Sequence, residues 1–245
     1  SKTNYPLGED EEEIQTSFEP SYASITGDPV ANTLTYDGSE QELVTAGTAS
    51  NGIMQYRLGD TGDYSTTIPK ATNAGSYSVY YKAKGTGGYA DYVADTPIEV
   101  TIAKKNLTVT ANDNTITYGD APTGNGVSYT GFVTGDDESQ ISGTLGYSST
   151  YTQYDDVGTY TITPDGLTSD NYEITFVPGT LTVNPKEVGL TWGNTALNYD
   201  GSERVPTVTA TGLVNGDEIG VTVTGGQTDI GTGYTATASA LTGEK

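Results

Sequence analysis

The chain has 245 residues, with 32 Asp and Glu against 10 Lys and Arg, so its formal charge is -22. This charge repels phosphate backbones and anionic lipid head groups, which excludes nucleic acid binding and direct membrane binding as expected functions. The sequence has no Cys and no His, which excludes disulfides, thiol nucleophiles, Ser/His/Asp triads and zinc sites with the usual nitrogen and sulfur ligands.

The beginning of the chain differs in composition from the rest. It contains the unbroken acidic run Glu9–Glu13 and little apolar content before Ile14. Such a composition is typical of a solvated segment that buries too little to fold by itself. We therefore predict an acidic tail or linker over residues 1–25.

The remainder of the chain is a repeat. The segment Leu34–Glu40 returns almost unchanged as Leu197–Glu203, with Ile116–Asp120 between them. A second landmark, Thr130–Asp136, returns 81 residues later as Thr211–Asp217. This period is the length of a small β domain and predicts three modules, over residues 26–104, 105–185 and 186–245.

Alternation of apolar residues with threonine predicts the strands of these modules. The pattern is clear in Leu107–Ala111, Leu181–Val183 and Val221–Thr224, where the apolar side chains fall on one face. Only residues 136–141, with Asp136 as the cap, predict a helical turn. We therefore expect an all-β, mainly antiparallel fold with at most short helices.

The connections between modules are short. Only Lys105 and Asn106 separate the end of the first module, at Lys104, from the next strand. At the second connection, Pro185 fixes its own φ and restricts the residue before it. Both connections predict an elongated array with stiff joints rather than domains on flexible linkers.

The third module is shorter than the second after their shared Gly turn. From Gly158 to Lys186 there are 28 residues, whereas from Gly231 to Lys245 there are 14. This difference predicts that the third module stops before its last strand. Because an incomplete sheet leaves an unpaired edge, we expect a monomer that can pair through an edge strand near the C-terminus.

Four motifs of the central module resemble one domain family. They are Tyr118-Gly119-Asp120, Gly158–Pro164, Ser169–Ile174 and Gly179–Pro185. Together they resemble the MBG domain of the Tyr-Gly-X type, and the first and third modules are similar to related Tyr-Asp-Gly repeat domains. The resemblance implies tandem β-grasp-like or immunoglobulin-like modules in large secreted or wall-attached bacterial proteins associated with adhesion, and it implies no catalytic residue.

We therefore expect a non-catalytic stalk or adhesion segment of an exported bacterial cell-surface protein, located outside the cell at its surface or wall. The expected partners are neighbouring domains of the same protein, and any export signal or anchor is expected outside this sequence. The alternative is an adhesive module that binds host glycan or mucin. In that case Tyr80, Tyr89 and Tyr151 are the residues predicted to stack on sugar rings.

A remote alternative is a glycoside hydrolase that uses two carboxylates. The candidate pairs are Asp155 with Asp156 and Asp136 with Glu138. Each pair lies among Gly and Ser residues beside predicted turns, where carboxylates are normally solvated. We therefore predict that the chain is not an enzyme.

Two acidic segments at equivalent positions of the repeat are the candidate metal ligands. They consist of Asp136, Asp137 and Glu138, and of Asp217 and Glu218. Oxygen ligands of this kind favour Ca²⁺. Neither segment has the alternating Asp pattern of a calcium loop, so we expect no cofactor, with calcium at these residues as the alternative.

Overall fold

The computed structural model describes residues 19–242, and strands form almost all of the regular structure there. The chain divides into two compact units, unit 1 and unit 2, at the bond between Lys104 and Lys105. Within residues 19–242 the only helix is a single 3-10 turn, so no helix in this range is long and apolar enough to cross a membrane. The predicted all-β fold is confirmed. The division into three modules stays a prediction.

Unit 1 is built around one main sheet. Its described strands are β1 (Ser24–Gly27), β2 (Val30–Ala31), β3 (Leu34–Thr35), β4 (Gln41–Glu42), β5 (Val44–Thr45), β6 (Thr48–Ser50), β7 (Gly52–Leu58), β8 (Lys70–Ala71), β9 (Gly75–Gly85), β10 (Tyr92–Val93) and β11 (Ile98–Ala103). The main sheet has the order β10-β9-β11-β3, and β7 also pairs with β9. Alternation along β9 buries Val79, Tyr81 and Ala83 in the core.

Unit 1 begins earlier than the sequence predicted. The Ala23 side chain is only 1% exposed. Its N–H donates to the Ala90 carbonyl at 2.9 Å, and the Ala90 N–H donates to the Ser21 carbonyl at 2.8 Å. The predicted tail over residues 1–25 is therefore wrong for residues 21–25, which pack into unit 1. The acidic run Glu9–Glu13 lies outside the described residues.

Unit 2 contains two facing sheets and two further strand pairs. Its described strands are β12 (Lys105–Ala111), β13 (Asn114–Thr117), β14 (Val127–Thr130), β15 (Ser142–Ser149), β16 (Gly158–Thr168), β17 (Tyr172–Val177), β18 (Gly179–Asn184), β19 (Gly189–Gly193), β20 (Thr207–Thr211), β21 (Gly220–Thr224) and β22 (Thr237–Thr242). The two sheets have the orders β14-β12-β17 and β13-β18-β16-β15. The residues after 185 form the separate pairs β19–β20 and β21–β22.

The core of unit 2 lies between its two larger sheets. Apolar side chains from both sheets and from two loops form one buried cluster, made of Ala111, Tyr118, Tyr151, Ile162, Leu181 and Val183. The strand Leu107–Ala111 alternates as predicted, because Leu107 and Val109 are also buried. Burial of these side chains is the main favourable term for folding in a chain with so few large apolar residues.

The 3-10 turn, Glu138–Gln140, begins one residue later than predicted. Its cap is Asp137, whose side chain accepts a hydrogen bond from the Ser139 N–H at 2.8 Å. Hydrogen bonds from Ser139 also lower the pKa of Asp137. Asp136, the predicted cap, is instead an acceptor for the Tyr172 hydroxyl.

One strand closes the sheet in each unit, and we call β11 and β18 the closing strands. The closing strand β18 lies between β16, to which it is antiparallel, and β13, to which it is parallel. Tyr160 lies opposite Leu181 on one side, and Ile116 lies opposite Val183 on the other. Apart from β13–β18, only β3–β11 and β12–β17 are parallel among the described strands, so the predicted antiparallel majority is confirmed.

Unit 1 uses the same register at its closing strand. Tyr77 of β9 lies opposite Val100 of β11, and Leu34 of β3 lies opposite Ile102. The next residue after β3, Tyr36, then donates its N–H to the end of the closing strand. The repeat seen in the sequence therefore corresponds to the same three-strand arrangement in both units.

Candidate functional site

An aromatic and cationic face lies on the outer side of β7 and β9 in unit 1. Arg57 of β7 lies opposite Tyr80 of β9, and Gln55 lies opposite Lys82. Because strand side chains alternate, these residues point away from the core that Tyr56 and Tyr81 enter. We call Arg57, Tyr64, Tyr80 and Lys82 the aromatic–cationic face.

The cations of this face stack on its rings. The guanidinium carbon of Arg57 lies 4.8 Å from the centroid of the Tyr64 ring and 4.9 Å from that of Tyr80. The Lys82 Nζ atom lies 5.0 Å from the Tyr64 centroid. Contacts between a cation and an aromatic ring within about 6 Å are attractive because the face of the ring carries a partial negative charge. The stacking therefore holds two positive charges together on a strongly acidic chain.

The two cations of this face differ in their hydrogen bonds. Lys82 Nζ donates to Asp91 at 2.8 Å, and the Gly85 N–H donates to the other carboxylate oxygen at 2.9 Å. The hydrogen bond from Lys82, followed by that from Gly85, lowers the pKa of Asp91. The Arg57 Nε atom, in contrast, is buried and has no acceptor among the described residues. A buried donor without an acceptor costs free energy, whereas the guanidinium group as a whole is held by its contacts with the rings of Tyr64 and Tyr80.

The three tyrosines predicted to bind a ligand occupy different environments. Tyr80 is half-buried beneath Arg57 on the aromatic–cationic face. Tyr89 is 39% exposed in the turn after β9. Tyr151 is 2% exposed in the core of unit 2, where its ring centroid lies 5.0 Å from that of Tyr160. The prediction for Tyr151 is therefore wrong, because a buried ring cannot stack on a sugar.

The first predicted metal-binding segment is occupied by internal hydrogen bonds. The Tyr172 hydroxyl donates to Asp136 at 2.6 Å and accepts from the Val133 N–H at 3.0 Å. Asp137 caps the 3-10 turn that contains the exposed Glu138. Nowhere in residues 19–242 do three or more acidic side chains form a group that could hold a metal ion. Calcium at this segment stays a prediction.

The second predicted metal-binding segment contributes instead to a joint within unit 2. Asp217 is half-buried and accepts a 2.7 Å hydrogen bond from the Tyr118 hydroxyl, whereas Glu218 is exposed. Val214, three residues earlier, packs against the core cluster that contains Tyr118. We call the contact of Tyr118 with Asp217 and Val214 the inter-repeat joint.

Electrostatics at the inter-repeat joint keep the tyrosine protonated. The hydrogen bond to Asp217, followed by burial, raises the pKa of Tyr118 to about 12. The sequence did not predict the hydrogen bond between Tyr118 and Asp217. Both residues belong to landmarks of the repeat, and a repeated motif does not show whether its partner comes from the same copy or from the next one. The spacing from Tyr to Asp is the same in both copies, so it gave no signal that Tyr118 pairs with Asp217.

The carboxylate pairs considered for glycoside hydrolysis are found at turns. Asp155 and Asp156 are both exposed, and Asp155 accepts a hydrogen bond from the Thr152 N–H at 2.8 Å. Asp136 accepts a hydrogen bond from the Tyr172 hydroxyl, and Glu138 is exposed in the 3-10 turn. Exposure and turn formation are typical of structural carboxylates.

The central part of the chain matches a known domain family. Its closing strand, its buried Tyr118 and its strand order all fall within one stretch of unit 2. Residues 107–182 match the MBG domain (YGX type). The predicted resemblance to the MBG domain is thereby confirmed for the central module. The MBG match ends before the third repeat, so Asp217 of the inter-repeat joint lies outside it.

Other comparisons add little to the MBG match. No curated protein matches the chain. The fibronectin(III)-like modules of CbhA from Clostridium thermocellum have 17% identity and a TM-score of 0.24, covering 66% of this chain and 94% of that chain. Drosophila N-cadherin EC1-3 has 12% identity and a TM-score of 0.22, covering 69% of this chain and 68% of that chain. At these TM-scores neither likeness bears on the fold or function of this chain.

Proposed function

We propose that this chain is a non-catalytic stalk segment of an exported bacterial cell-surface protein. The inter-repeat joint is the observation that carries the proposal. It combines a partly buried hydrogen bond from Tyr118 with apolar packing of Val214. A joint with both contacts resists bending, because bending would leave Asp217 half-buried without its donor. The MBG match supports a surface or adhesion type of module.

Small-angle X-ray scattering of the full chain tests the stalk proposal. A compact domain of 245 residues has a radius of gyration of about 18 Å. A stalk is expected to have a clearly larger radius, and its distance distribution should have a long tail. A value near that of a compact domain contradicts the proposal. Val214→Ser is expected to broaden the distribution by loosening the joint, whereas Val223→Ser, on a strand outside the joint, is not.

The second candidate function is binding of an acidic host glycan or mucin at the aromatic–cationic face. The observation that favours it is the stacking of the Arg57 guanidinium on the rings of Tyr64 and Tyr80, with the Lys82 ammonium over the Tyr64 ring. An acidic sugar offers both an anionic group for these two cations and a ring surface that tyrosine contacts. The face is also one of the few cationic areas on a chain of charge -22.

A glycan and mucin array, probed with and without a calcium chelator, tests this second function. Retention of the wild-type chain on sialylated or sulfated sugars should fall at least about tenfold in Tyr80→Ala and Arg57→Met. The matched control is Tyr22→Ala, because Tyr22 is 58% exposed but does not belong to the face. Absence of retention, or equal losses in all three variants, contradicts a site at Arg57 and Tyr80. Loss on chelation would instead favour the calcium prediction.

A further inference from the structure

A glycine lies at the closest approach of the two repeats in the inter-repeat joint. Gly119 directly follows Tyr118 and has a φ of +94°. A methyl group at Gly119 would lie 3.1 Å from the Cγ2 atom of Val214. Carbon atoms pack best at about 3.5–4.0 Å, so a side chain at this position would push Val214 away. Val214 can therefore reach its place in the joint because residue 119 has no side chain.

Hydrogen bonds hold the turn that carries Gly119, and we call residues 118–120 the Tyr-Gly-Asp turn. The Asp120 N–H donates to the Thr117 carbonyl at 2.9 Å, and the Asp120 carboxylate accepts from the Thr117 N–H at 3.0 Å. The Gln153 Nε2 atom donates to the Gly119 carbonyl at 2.7 Å. A backbone shift that moved Gly119 away from Val214 would therefore cost some of these bonds.

The third repeat presents one tight turn to this glycine, and we call residues 214–217 the Val-x-Gly-Asp turn. The N–H of Asp217 donates to the Val214 carbonyl at 2.9 Å, which closes the turn. Its two central residues, Asn215 and Gly216, have φ values of +55° and +74°. Positive φ at both central residues is the geometry of a type I′ turn. The side chains of Val214 and Asp217 therefore come from the two ends of one closed turn.

Two consecutive residues of the second repeat receive the two ends of this turn. The Tyr118 hydroxyl donates to Asp217 at 2.7 Å, and Gly119 lies against Val214. The Tyr118 ring is 3% exposed, and its centroid lies 6.4 Å from that of Tyr154 in an edge contact. Since the hydroxyl is fixed by this packing, the turn must approach it closely. The hydrogen bond can therefore form only where Val214 also fits.

The equivalent turns of the other two repeats differ at the position of Gly119. Their sequence is Tyr-Asp-Gly, at residues 36–38 and 199–201. The carboxylates of Asp37 and Asp200 each accept a hydrogen bond from the N–H two residues later, at 2.8 and 3.0 Å. Positive φ then falls on the glycine that follows each aspartate. This form of the turn therefore has a carboxylate-bearing side chain at the position where residue 119 has none.

We propose that Gly119 is the specificity-determining residue of the inter-repeat joint. The Tyr-Gly-Asp turn accepts the Val-x-Gly-Asp turn of the following repeat of the same chain, because its glycine leaves room for a branched apolar side chain. An aspartate at residue 119 would place a carboxylate against Val214, where it would lose water without gaining a partner. Exclusion of this kind is a common source of specificity. The inference rests on the stalk function proposed above and names the partner of its joint.

Melting temperatures of the full chain test the role of Gly119. Gly135→Ala is the matched control, because Gly135 has a φ of +98° and nothing within 4 Å. Gly119→Ala is expected to lower the melting temperature by about 2–4 °C more than Gly135→Ala does. In a Val214→Ala background the nearest atom is the Cβ of residue 214, at 3.7 Å, so the excess should disappear. An excess that persists in this background, or no excess in the first place, overturns the proposal.

An exchange of two residues keeps the test decisive if Gly119→Ala does not fold. The double change Gly119→Asp with Asp120→Gly gives the second repeat the turn sequence of the other two and keeps a glycine for positive φ. In this background Tyr118→Phe should no longer lower the melting temperature, because the displaced turn has moved Asp217 away from the hydroxyl. A further loss of about 2–4 °C, as expected in the wild-type chain, overturns the proposal.

Failure of this inference is distinguishable from failure of the stalk proposal. Coupling between residues 119 and 214 is measured from melting temperatures, whatever the shape of the chain. A compact wild-type chain in small-angle scattering contradicts the stalk and leaves that coupling in place. An elongated chain in which residues 119 and 214 are not coupled overturns the role of Gly119 alone.

Discussion

The Tyr118 hydroxyl donates a 2.7 Å hydrogen bond to Asp217, which lies 99 residues further along the chain. The equivalent of Asp217 in the preceding repeat is Asp136, which accepts at 2.6 Å from Tyr172. The two aspartates have the same local turn, since the N–H of each donates to a valine carbonyl three residues earlier. The same position of the repeat therefore provides a carboxylate acceptor in both copies. The tyrosine that donates to it comes from a different position of the repeat in each case.

Removing the Tyr118 hydroxyl should destabilise unit 2. In Tyr118→Phe the ring keeps its core packing, but the half-buried Asp217 loses its donor. We expect a fall in melting temperature of about 2–4 °C, typical of one lost interaction in a chain of this size. Tyr199→Phe is the matched control, because Tyr199 has the same repeat position but is 63% exposed.

A double-mutant cycle tests whether this loss comes from the inter-repeat joint. The double variant Tyr118→Phe with Asp217→Asn should be little less stable than Tyr118→Phe alone, because both changes remove the same contact. Calorimetry of the four proteins at one pH gives the coupling. Strictly additive losses would show that the two side chains stabilise the protein independently.

The joint should weaken at high pH. The pKa of Tyr118 is raised from 10.0 to about 12 in the folded chain. A raised pKa means that the folded state holds the proton more tightly than the unfolded state, so the stabilisation is full below pH 10 and is lost as pH rises through about 12. Thermal unfolding from pH 8 to above pH 12 should show a steeper fall for the wild type than for Tyr118→Phe. Parallel curves would contradict the assignment.

Gly143 should not tolerate a side chain. Its φ is +93°, and a methyl group there would meet the backbone carbonyl oxygen of Gly166 on the paired strand. Gly143→Ala is expected to cost about 2 kcal/mol or more, since steric contact adds to the cost of the backbone conformation. Gly135→Ala is the matched control, because Gly135 has a φ of +98° with nothing within 4 Å. Urea unfolding should give a clearly lower free energy of unfolding for Gly143→Ala than for Gly135→Ala. Equal losses of stability would mean that the cost comes from the backbone dihedral angle alone.

Leu181 should be among the most costly positions to truncate. It is 0% exposed in the closing strand β18 and belongs to the core cluster of unit 2. Leu181→Ala is expected to lower the free energy of unfolding by about 2–5 kcal/mol, because it leaves a cavity. Val223→Ala, on the half-exposed face of β21, should cost less than about 1 kcal/mol. Equal costs in urea unfolding would contradict the placement of the core.

The strands were predictable where alternation is strict. Leu107 and Val109 carry the two-residue period that a half-buried strand requires, and the structure buries both. The entry of the chain into unit 1 was not predictable in this way. Ala23 is buried through a short bridge to Ala90, and neither residue belongs to a periodic run or to the repeat.

The side-chain roles were less predictable than the strands. Tyr151 follows a run of Ser and Thr that is typical of an exposed loop, yet its loop folds back over the core. Asp217 carries a charge in an acidic segment, and a charge pattern does not reveal that a distant tyrosine will act as its donor. Arg57 and Tyr80 could be placed opposite each other only once the pairing of β7 with β9 was known.

The parallel pairing of β13 with the closing strand β18 bears on how unit 2 responds to tension. Ile116 lies opposite Val183 in this pair, and the chain enters the sheet near the start of β13 and leaves it at the end of β18. Pulling the two ends apart drives these neighbours along each other in opposite directions. The hydrogen bonds between them are then loaded together in shear rather than broken one at a time, as they would be if the two strands were peeled apart.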